Sequence, residues 1–195
     1  TGTPCQIAGL KHFLKKEYPN LLTVEIICHG VPSPAVWQNY LEETATNDRI
    51  GINADLPPSP VNKKLTIADI NFRDKRLGWK KFGFALTPHL GSLGNPEETS
   101  SVSEQDFYES FGSNLYMQCF LSNWSLRPSC FNCQAKNGKS NADITIGDFW
   151  GIDKLNGYTD DDKGTSCIVC RTEKGIFAIN NLKNIDITSA PYDVI

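Results

Sequence analysis

Apolar residues recur along the chain with two different spacings, and these spacings predict where helices and strands lie. A dense helix-start signal at 3–6 combines an N-cap threonine, a proline in the first turn and a capping-box glutamine. It predicts a helix through about Tyr18, with one buried face formed by Ile7, Leu10, Phe13 and Leu14. The β-branched run at 21–28 predicts a largely buried strand, and a second helix is predicted from 33–34 to about Glu43.

The remainder of the chain alternates in shorter stretches, which are typical of strands joined by loops. Residues 65–72 and 79–86 predict a β-hairpin, and the aromatic spacing after Ser103 predicts a helical stretch that carries Phe107, Tyr108 and Phe111. Further strands are predicted within 142–151, 166–171 and 185–187, with a helix at 174–182. The fold class that follows is α/β, with a mixed or mainly parallel sheet flanked by helices and a β-hairpin insertion.

Polar, proline-containing sequence interrupts this pattern once, and we interpret the interruption as an insertion. Residues 44–102 carry the clearest linker, at 57–60, together with the predicted hairpin. We therefore expect residues 1–195 to form a single domain that contains this insertion. Because the first helix starts at once, with no strand before it, we expect the chain to be an excerpt of a longer polypeptide.

The composition narrows the class of protein. With 195 residues, 39% of them hydrophobic and 21% charged, the chain is globular, and disorder, collagen-like repeats and a coiled coil are excluded. A net charge of −3 gives no electrostatic footprint for nucleic acid. No apolar run is long enough for a membrane span and no signal peptide is recognisable, so we expect a cytoplasmic location.

Seven cysteines are the main chemical signal. Since cytosolic thiols stay reduced, metal binding, a cluster or catalysis is favoured over disulfides. The pair Cys130-x-x-Cys133 has a spacing that lets two thiolates face one metal. Cys5 lies at a helix N-terminus and Cys28 ends a strand, so these four thiols are predicted to meet at one sheet edge. Spacing alone does not separate zinc from a 4Fe-4S cluster, and Cys28 also fits a small buried hydrophobe.

The other three cysteines are predicted to be structural. Cys167 and Cys170 are also three apart, but they lie in a predicted strand, where positions three apart point to opposite faces. Cys119 lies in an apolar helical piece and is expected in the core.

A basic segment at 72–81 predicts an anion site within an acidic chain. Arg73 and Lys75 could hold phosphates while Phe72 and Trp79 stack on a planar ring; the alternative is a solvated hairpin.

Two further places could contribute to such a site. Gly2 and Thr3 at a helix N-terminus suit a phosphate or a flavin edge, or form an ordinary cap. Asp148 ends a buried strand, and His29 follows Cys28 at the presumed ligand edge, where it could hydrogen-bond a cofactor.

Five motifs, in this order, resemble the coenzyme F(420) hydrogenase/dehydrogenase beta-subunit family. They are Thr1-Gly2-Thr3-Pro4-Cys5-Gln6, Cys28-His29-Gly30-Val31-Pro32-Ser33, Phe72-Arg73-Asp74-Lys75 with Gly78-Trp79, Arg127-Pro128-Ser129-Cys130 with Cys133, and residues 143–151. The resemblance covers nearly the whole chain and corresponds to the C-terminal catalytic region of the family, without its usual N-terminal portion.

The resemblance implies an iron-sulfur flavoprotein that passes electrons between a 4Fe-4S cluster and FAD. It implies cluster ligands at Cys5, Cys28, Cys130 and Cys133. It implies FAD contacts at Gly2, Thr3, Gly30, Arg73, Lys75, Trp79 and Asp148. His29 and Lys75 are the candidate catalytic acids or bases near the flavin.

A flavin accepts a hydride as two electrons and releases them singly, so flavin and cluster together would act as a converter. The hydride carrier is expected to be F(420), as in archaeal relatives, or another acceptor. The electron partner is expected to be a redox protein or a ferredoxin-like domain, and oligomerisation is left open. The competing hypotheses are a non-catalytic module with a four-cysteine zinc site and a degenerate member that binds neither cofactor.

Overall fold

A computed structural model describes residues 1–46, 64–91, 107–155, 157–158 and 160–192. In chain order the elements are α1 (Pro4–Leu14), β1 (Val24–Ile26), α2 (Pro34–Thr46), β2 (Lys64–Asp74), β3 (Gly83–Gly91), β4 (Phe107–Ser110), α3 (Leu115–Leu121), α4 (Pro128–Phe131), β5 (Ile144–Asp148), β6 (Ser166–Cys170) and α5 (Glu173–Asn180), with a 3-10 helix at Ile152–Lys154. The chain divides into two units: unit 1 contains residues 1–30 and 128–195, and unit 2 contains residues 31–127.

Helix α1 begins where the sequence predicts, because the local signals suffice. Thr3 is the N-cap, Pro4 follows it, and the Gln6 side-chain oxygen accepts a hydrogen bond from the Thr3 backbone N–H at 2.8 Å. The helix ends earlier than predicted, since Lys15 adopts a left-handed conformation with φ 56° and closes it after Leu14.

The predicted buried face of α1 is mostly wrong. Ile7 is buried at 3% exposure, and Leu14 is half-buried, whereas Leu10 is 39% exposed and Phe13 is 82% exposed. The spacing identified the helix correctly but did not identify how much of its apolar stripe is covered.

The sheet of unit 1 has the order β1-β5-β6 and mixes both directions. Strand β1 pairs with β5 in parallel, with Glu25 opposite Thr145, and β5 pairs with β6 antiparallel. On the other side of β1, Gly2 forms a parallel bridge with Glu25: its N–H donates to Val24 O at 3.0 Å and its carbonyl accepts from Ile26 at 3.1 Å. A mixed sheet with flanking helices confirms the predicted fold class.

Unit 2 contains an antiparallel sheet of order β2-β3-β4. The predicted hairpin is formed by β2 and β3, but residues 107–110 form strand β4 rather than a helix, because they pair with β3 in the register that places Phe107 opposite Leu86. The core of this unit is formed by Phe82, Phe84, Leu86 and Met117, with aromatic side chains of α2 packed against it. The predicted linker at 57–60 lies outside the described residues.

Candidate functional site

The four cysteines of the predicted cluster site all belong to unit 1. Cys5 is in the first turn of α1 and is exposed, and Cys28 lies two residues after β1 and is half-buried. Cys130 is in the short helix α4, Cys133 follows two residues after it, and both are half-buried. All seven cysteines of the chain are thiols rather than disulfides.

The electrostatic environment of the Cys28 thiol includes groups from distant segments. Burial raises the pKa of the Cys28 thiol, and the charges of Cys5 and Cys130 raise this pKa further, while the ammonium group of Lys136 and the backbone N–H of Gly30 lower it. Cys5, Cys28 and Cys130 therefore share one electrostatic environment.

The donor set suits a soft metal ion or an iron-sulfur cluster, because thiolate sulfur is the ligand that such centres prefer. Among the residues that the structure describes, no group of three or more histidine, cysteine or acidic side chains could hold a metal ion. The fit therefore rests on the chemistry of the donors.

Two neighbours shape the environment of the thiols. The Thr3 hydroxyl lies 3.2 Å from the Cys5 sulfur, and Cys5 lies in the first turn of an 11-residue helix, at the positive end of its dipole. On the other side, the Lys136 ammonium group donates to the backbone carbonyl of His29 at 2.7 Å, which holds a positive charge next to Cys28.

The loop after Cys28 has a special conformation. Gly30 has φ 153°, a value that side-chain-bearing residues rarely adopt, and its N–H lowers the pKa of Cys28. The side chain of His29, a candidate catalytic group, is exposed here.

Asp148 and Cys28 are placed at the same sheet edge. Strands β1 and β5 run in parallel, so the carboxyl end of β5, where Asp148 is exposed, lies beside the end of β1. The approach is close: a Cβ on Gly147 would come within 2.5 Å of the Ile27 side chain. This edge therefore carries a predicted FAD contact beside a predicted cluster ligand.

A cavity of about 440 Å³ lies in the same unit. Phe149, Tyr158 and Cys167 are among its lining residues, and Phe149 directly follows Asp148. Its volume falls in the range of small-molecule sites, which is about 300–1,000 Å³.

The predicted phosphate and ring contacts Arg73, Lys75 and Trp79 belong to unit 2. The Arg73 guanidinium lies 5.3 Å from the Trp79 ring centroid and 5.1 Å from that of Phe82, and Trp79 is only 4% exposed. Stacking of a planar ligand on Trp79 would require Arg73 to move. Lys75 is exposed, so its side chain is accessible to a phosphate.

Sequence reasoning missed a buried acid in β1. Glu25 is 2% exposed, and its carboxylate accepts hydrogen bonds from Thr145 at 2.8 Å and from Ser140. The signal was present in the sequence, as a single acidic residue within the apolar run at 21–28, but its partners lie more than a hundred residues away.

The structural cysteines behave largely as predicted. Cys167 is buried in the core of unit 1 with Phe149 and Ile152, and burial raises the pKa of its thiol. Cys170 and Cys119 are half-buried. Cys167 and Cys170 both lie in the extended strand β6, which agrees with a structural role.

The mixed three-stranded sheet with flanking helices places unit 1 in the α/β class. The family that describes the C-terminal region of the coenzyme F(420) hydrogenase/dehydrogenase beta subunit matches residues 1–192, so the chain belongs to this family. Searches of the curated proteins and of the solved structures found no match.

Family membership gives the chain a redox role of the oxidoreductase type. Since the family is that of a subunit, a partner chain is expected as well. No helix among the described residues is both long enough and apolar enough to cross a membrane.

Proposed function

We propose that this chain is an iron-sulfur flavoprotein domain that transfers electrons between a 4Fe-4S cluster and FAD. The proposed cluster ligands are Cys5, Cys28, Cys130 and Cys133. The observation that carries this proposal is that hydrogen bonds join the thiol-bearing segments of unit 1: Gly2 pairs with β1, and the Lys136 ammonium group donates to the His29 carbonyl at 2.7 Å. Family membership supplies the redox context.

The cluster, when bound, would supply one-electron transfer. The chain's own residues would hold and tune it. Cys5 lies at the positive end of the α1 dipole, and Lys136 places a positive charge beside Cys28. Both effects stabilise negative charge at the site, which would ease uptake of an electron.

FAD, when bound, would supply the conversion between hydride and single electrons. The proposed FAD contacts are Gly2, Thr3, Gly30, Arg73, Lys75, Trp79 and Asp148, with His29 or Lys75 to move a proton near the flavin. Their exposure supports His29, Lys75 and Asp148 in these roles. The cavity beside Phe149 offers volume for part of a ring system.

The proposed hydride carrier is F(420) or another soluble carrier. The proposed electron partner is a redox protein or a ferredoxin-like domain, and the proposed location is the cytoplasm. These assignments extend the role that the family gives to its members.

Anaerobic purification followed by absorption and electron paramagnetic resonance spectroscopy tests the proposal. We expect a broad brown visible band with flavin peaks, and loss of the brown band in Cys130→Ser and Cys133→Ser. Cys167→Ser and Cys170→Ser are the matched controls, and they should keep the colour. A colourless protein that contains one zinc per chain would instead establish the structural zinc module. Colour loss in the controls alone would refute the ligand assignment.

A further inference from the structure

Glu25 is the feature of unit 1 that neither the fold nor the proposed ligands explain. It lies in the middle of β1 and is 2% exposed, in a run of apolar residues that would form a strand without it. Burying a carboxylate is costly unless hydrogen bonds compensate it. The hydrogen bonds that Glu25 accepts therefore offset the cost of its burial and join β1 to the segments that supply the donors.

The bonds of Glu25 join two other segments. Thr145 on β5 donates to Glu25 Oε1 at 2.8 Å, and Ser140, which is 1% exposed, donates to Oε2. Ser140 in turn accepts from the backbone N–H of Ala142 at 3.1 Å. Arg171 donates to the Thr145 hydroxyl at 2.9 Å and lies 4.0 Å from Glu25 Oε1, so a positive charge faces the buried carboxylate. The network is well satisfied and hence rigid.

The segments joined in this way are those that carry the thiols. Glu25 stands three residues before Cys28, at the end of the same strand. Its backbone partner across the edge of β1 is Gly2, three residues before Cys5. Ser140 closes the loop that begins after Cys133, and Lys136 of that loop is bonded back to the residue after Cys28.

We propose that Glu25 is a positioning residue that fixes the Cys130/Cys133 loop against the strand end that carries Cys28. The carboxylate acts through Ser140 and does not touch the thiols itself. The effect that this proposal predicts on a cluster rests on the proposed function. The effect that it predicts on the positions of the thiols does not. It predicts that loss of the carboxylate separates Cys28 from Cys130.

A buried acid with a purely structural role would stabilise the fold without holding Cys28 near Cys130. The chain contains a second buried acid that serves as a control for this alternative. Asp143 is also buried, at 3% exposure, and it bonds Thr23 and Thr172 near the opposite end of β1. Asp143→Asn therefore removes a comparable buried charge without touching the Ser140 loop.

The test compares the full chain as wild type, Glu25→Gln, Ser140→Ala and Asp143→Asn, each shown to be folded by circular dichroism. In the metal-free protein, the yield of a Cys28–Cys130 disulfide after brief diamide oxidation is measured by mass spectrometry. We expect at least a threefold loss in Glu25→Gln and Ser140→Ala, and less than a twofold change in Asp143→Asn. In the reconstituted protein, the half-life of the cluster under a ferrous chelator should fall at least fivefold in the first two variants only.

The outcomes separate the two proposals. If wild type holds no cluster but the disulfide yield still falls selectively, the proposed function fails and the role of Glu25 stands. Equal yields in Glu25→Gln and Asp143→Asn overturn the positioning role, whether or not a cluster binds. Should Glu25→Gln not fold, Ser140→Ala decides, because it removes only the hydroxyl at the loop end of the network.

Discussion

Asp143 anchors the start of the unit 1 sheet, and its replacement by asparagine gives a quantitative test of this structure. The Asp143 carboxylate accepts from the Thr23 backbone N–H at 2.8 Å, the Thr23 hydroxyl at 2.7 Å and the Thr172 hydroxyl at 2.8 Å, with Lys174 4.0 Å away. Asparagine keeps one acceptor oxygen, but it has an NH₂ group in place of the second carboxylate oxygen. This group is a donor and cannot accept the hydrogen bonds made there. Hydrogen bonds to a charged group contribute about 1.5–3 kcal/mol each, so the free energy of unfolding should fall by about 2–4 kcal/mol.

The same bonds give Asp143 a signature in the pH dependence of stability. Burial acts to raise the pKa of the Asp143 carboxyl, but the hydrogen bonds from Thr23 and Thr172 and the charge of Lys174 outweigh it and lower the pKa. A carboxyl with a depressed pKa in the folded state contributes stability above its unfolded pKa of about 3.9. That contribution is lost as the pH falls through the folded pKa.

Urea unfolding followed by circular dichroism measures both effects. At pH 7, Asp143→Asn should lose stability, while Asp153→Asn, which removes the same charge from an exposed position, should change it by less than about 0.5 kcal/mol. Between about pH 5 and pH 3, wild type and Asp153→Asn should lose stability more steeply than Asp143→Asn. A loss below about 0.5 kcal/mol at pH 7, or an acid limb in Asp143→Asn as steep as that of wild type, would contradict the assigned role of Asp143.

Three further predictions test other parts of the structure. Gly175→Ala should lower the free energy of unfolding by about 1–3 kcal/mol, because the new Cβ would lie 2.5 Å from a backbone carbonyl oxygen. In the same urea assay, Gly9→Ala should raise it by about 0.5–1 kcal/mol, because the new Cβ would meet no described atom within 4 Å. Asn114→Ala should cost about 2–4 kcal/mol by thermal or urea unfolding, since this fully buried side chain caps α3 and makes three hydrogen bonds; a cost under about 1 kcal/mol would contradict this arrangement. In protein that holds the proposed cluster, Lys136→Met should lower the midpoint potential by roughly 40 mV, on the order of 1 kcal/mol for a one-electron couple. The exposed Lys139→Met should shift this potential far less in a redox titration.

Local signals explain what could be predicted from the sequence. The start of α1 depends on Thr3, Pro4 and Gln6, which are close together in the chain, and the structure reproduces it. The error at 107–110 has the opposite origin. The aromatic spacing there fits a helix, but pairing with β3 decides the conformation, and the β3 partners are more than twenty residues away in the sequence.

The candidate site also combines features that could be predicted from local sequence with features that could not. The Cys130-x-x-Cys133 spacing is visible locally, whereas the meeting of the four thiols at one sheet edge stays a prediction. Trp79 shows the limit of such reasoning, because an aromatic residue in a basic segment gave no sign that Arg73 covers its ring. The role of Glu25 could not be recognised from local sequence either, because its two hydroxyl partners are 115 and 120 residues distant along the chain.

Unit 1 is assembled from an early and a late segment of the chain, so the order of biosynthesis matters for it. Strand β1 spans only Val24–Ile26 and depends on β5 for its pairing. At about 5–20 residues per second, the ribosome needs roughly 5–20 s to make the approximately 100 residues between Cys28 and Cys130. During that interval the early cysteines emerge without their later counterparts, while the chain of unit 2 is being completed. A centre held by all four proposed ligands would therefore form only after the late segment is made, and a ribosome stalled before it would expose only two of the four thiols.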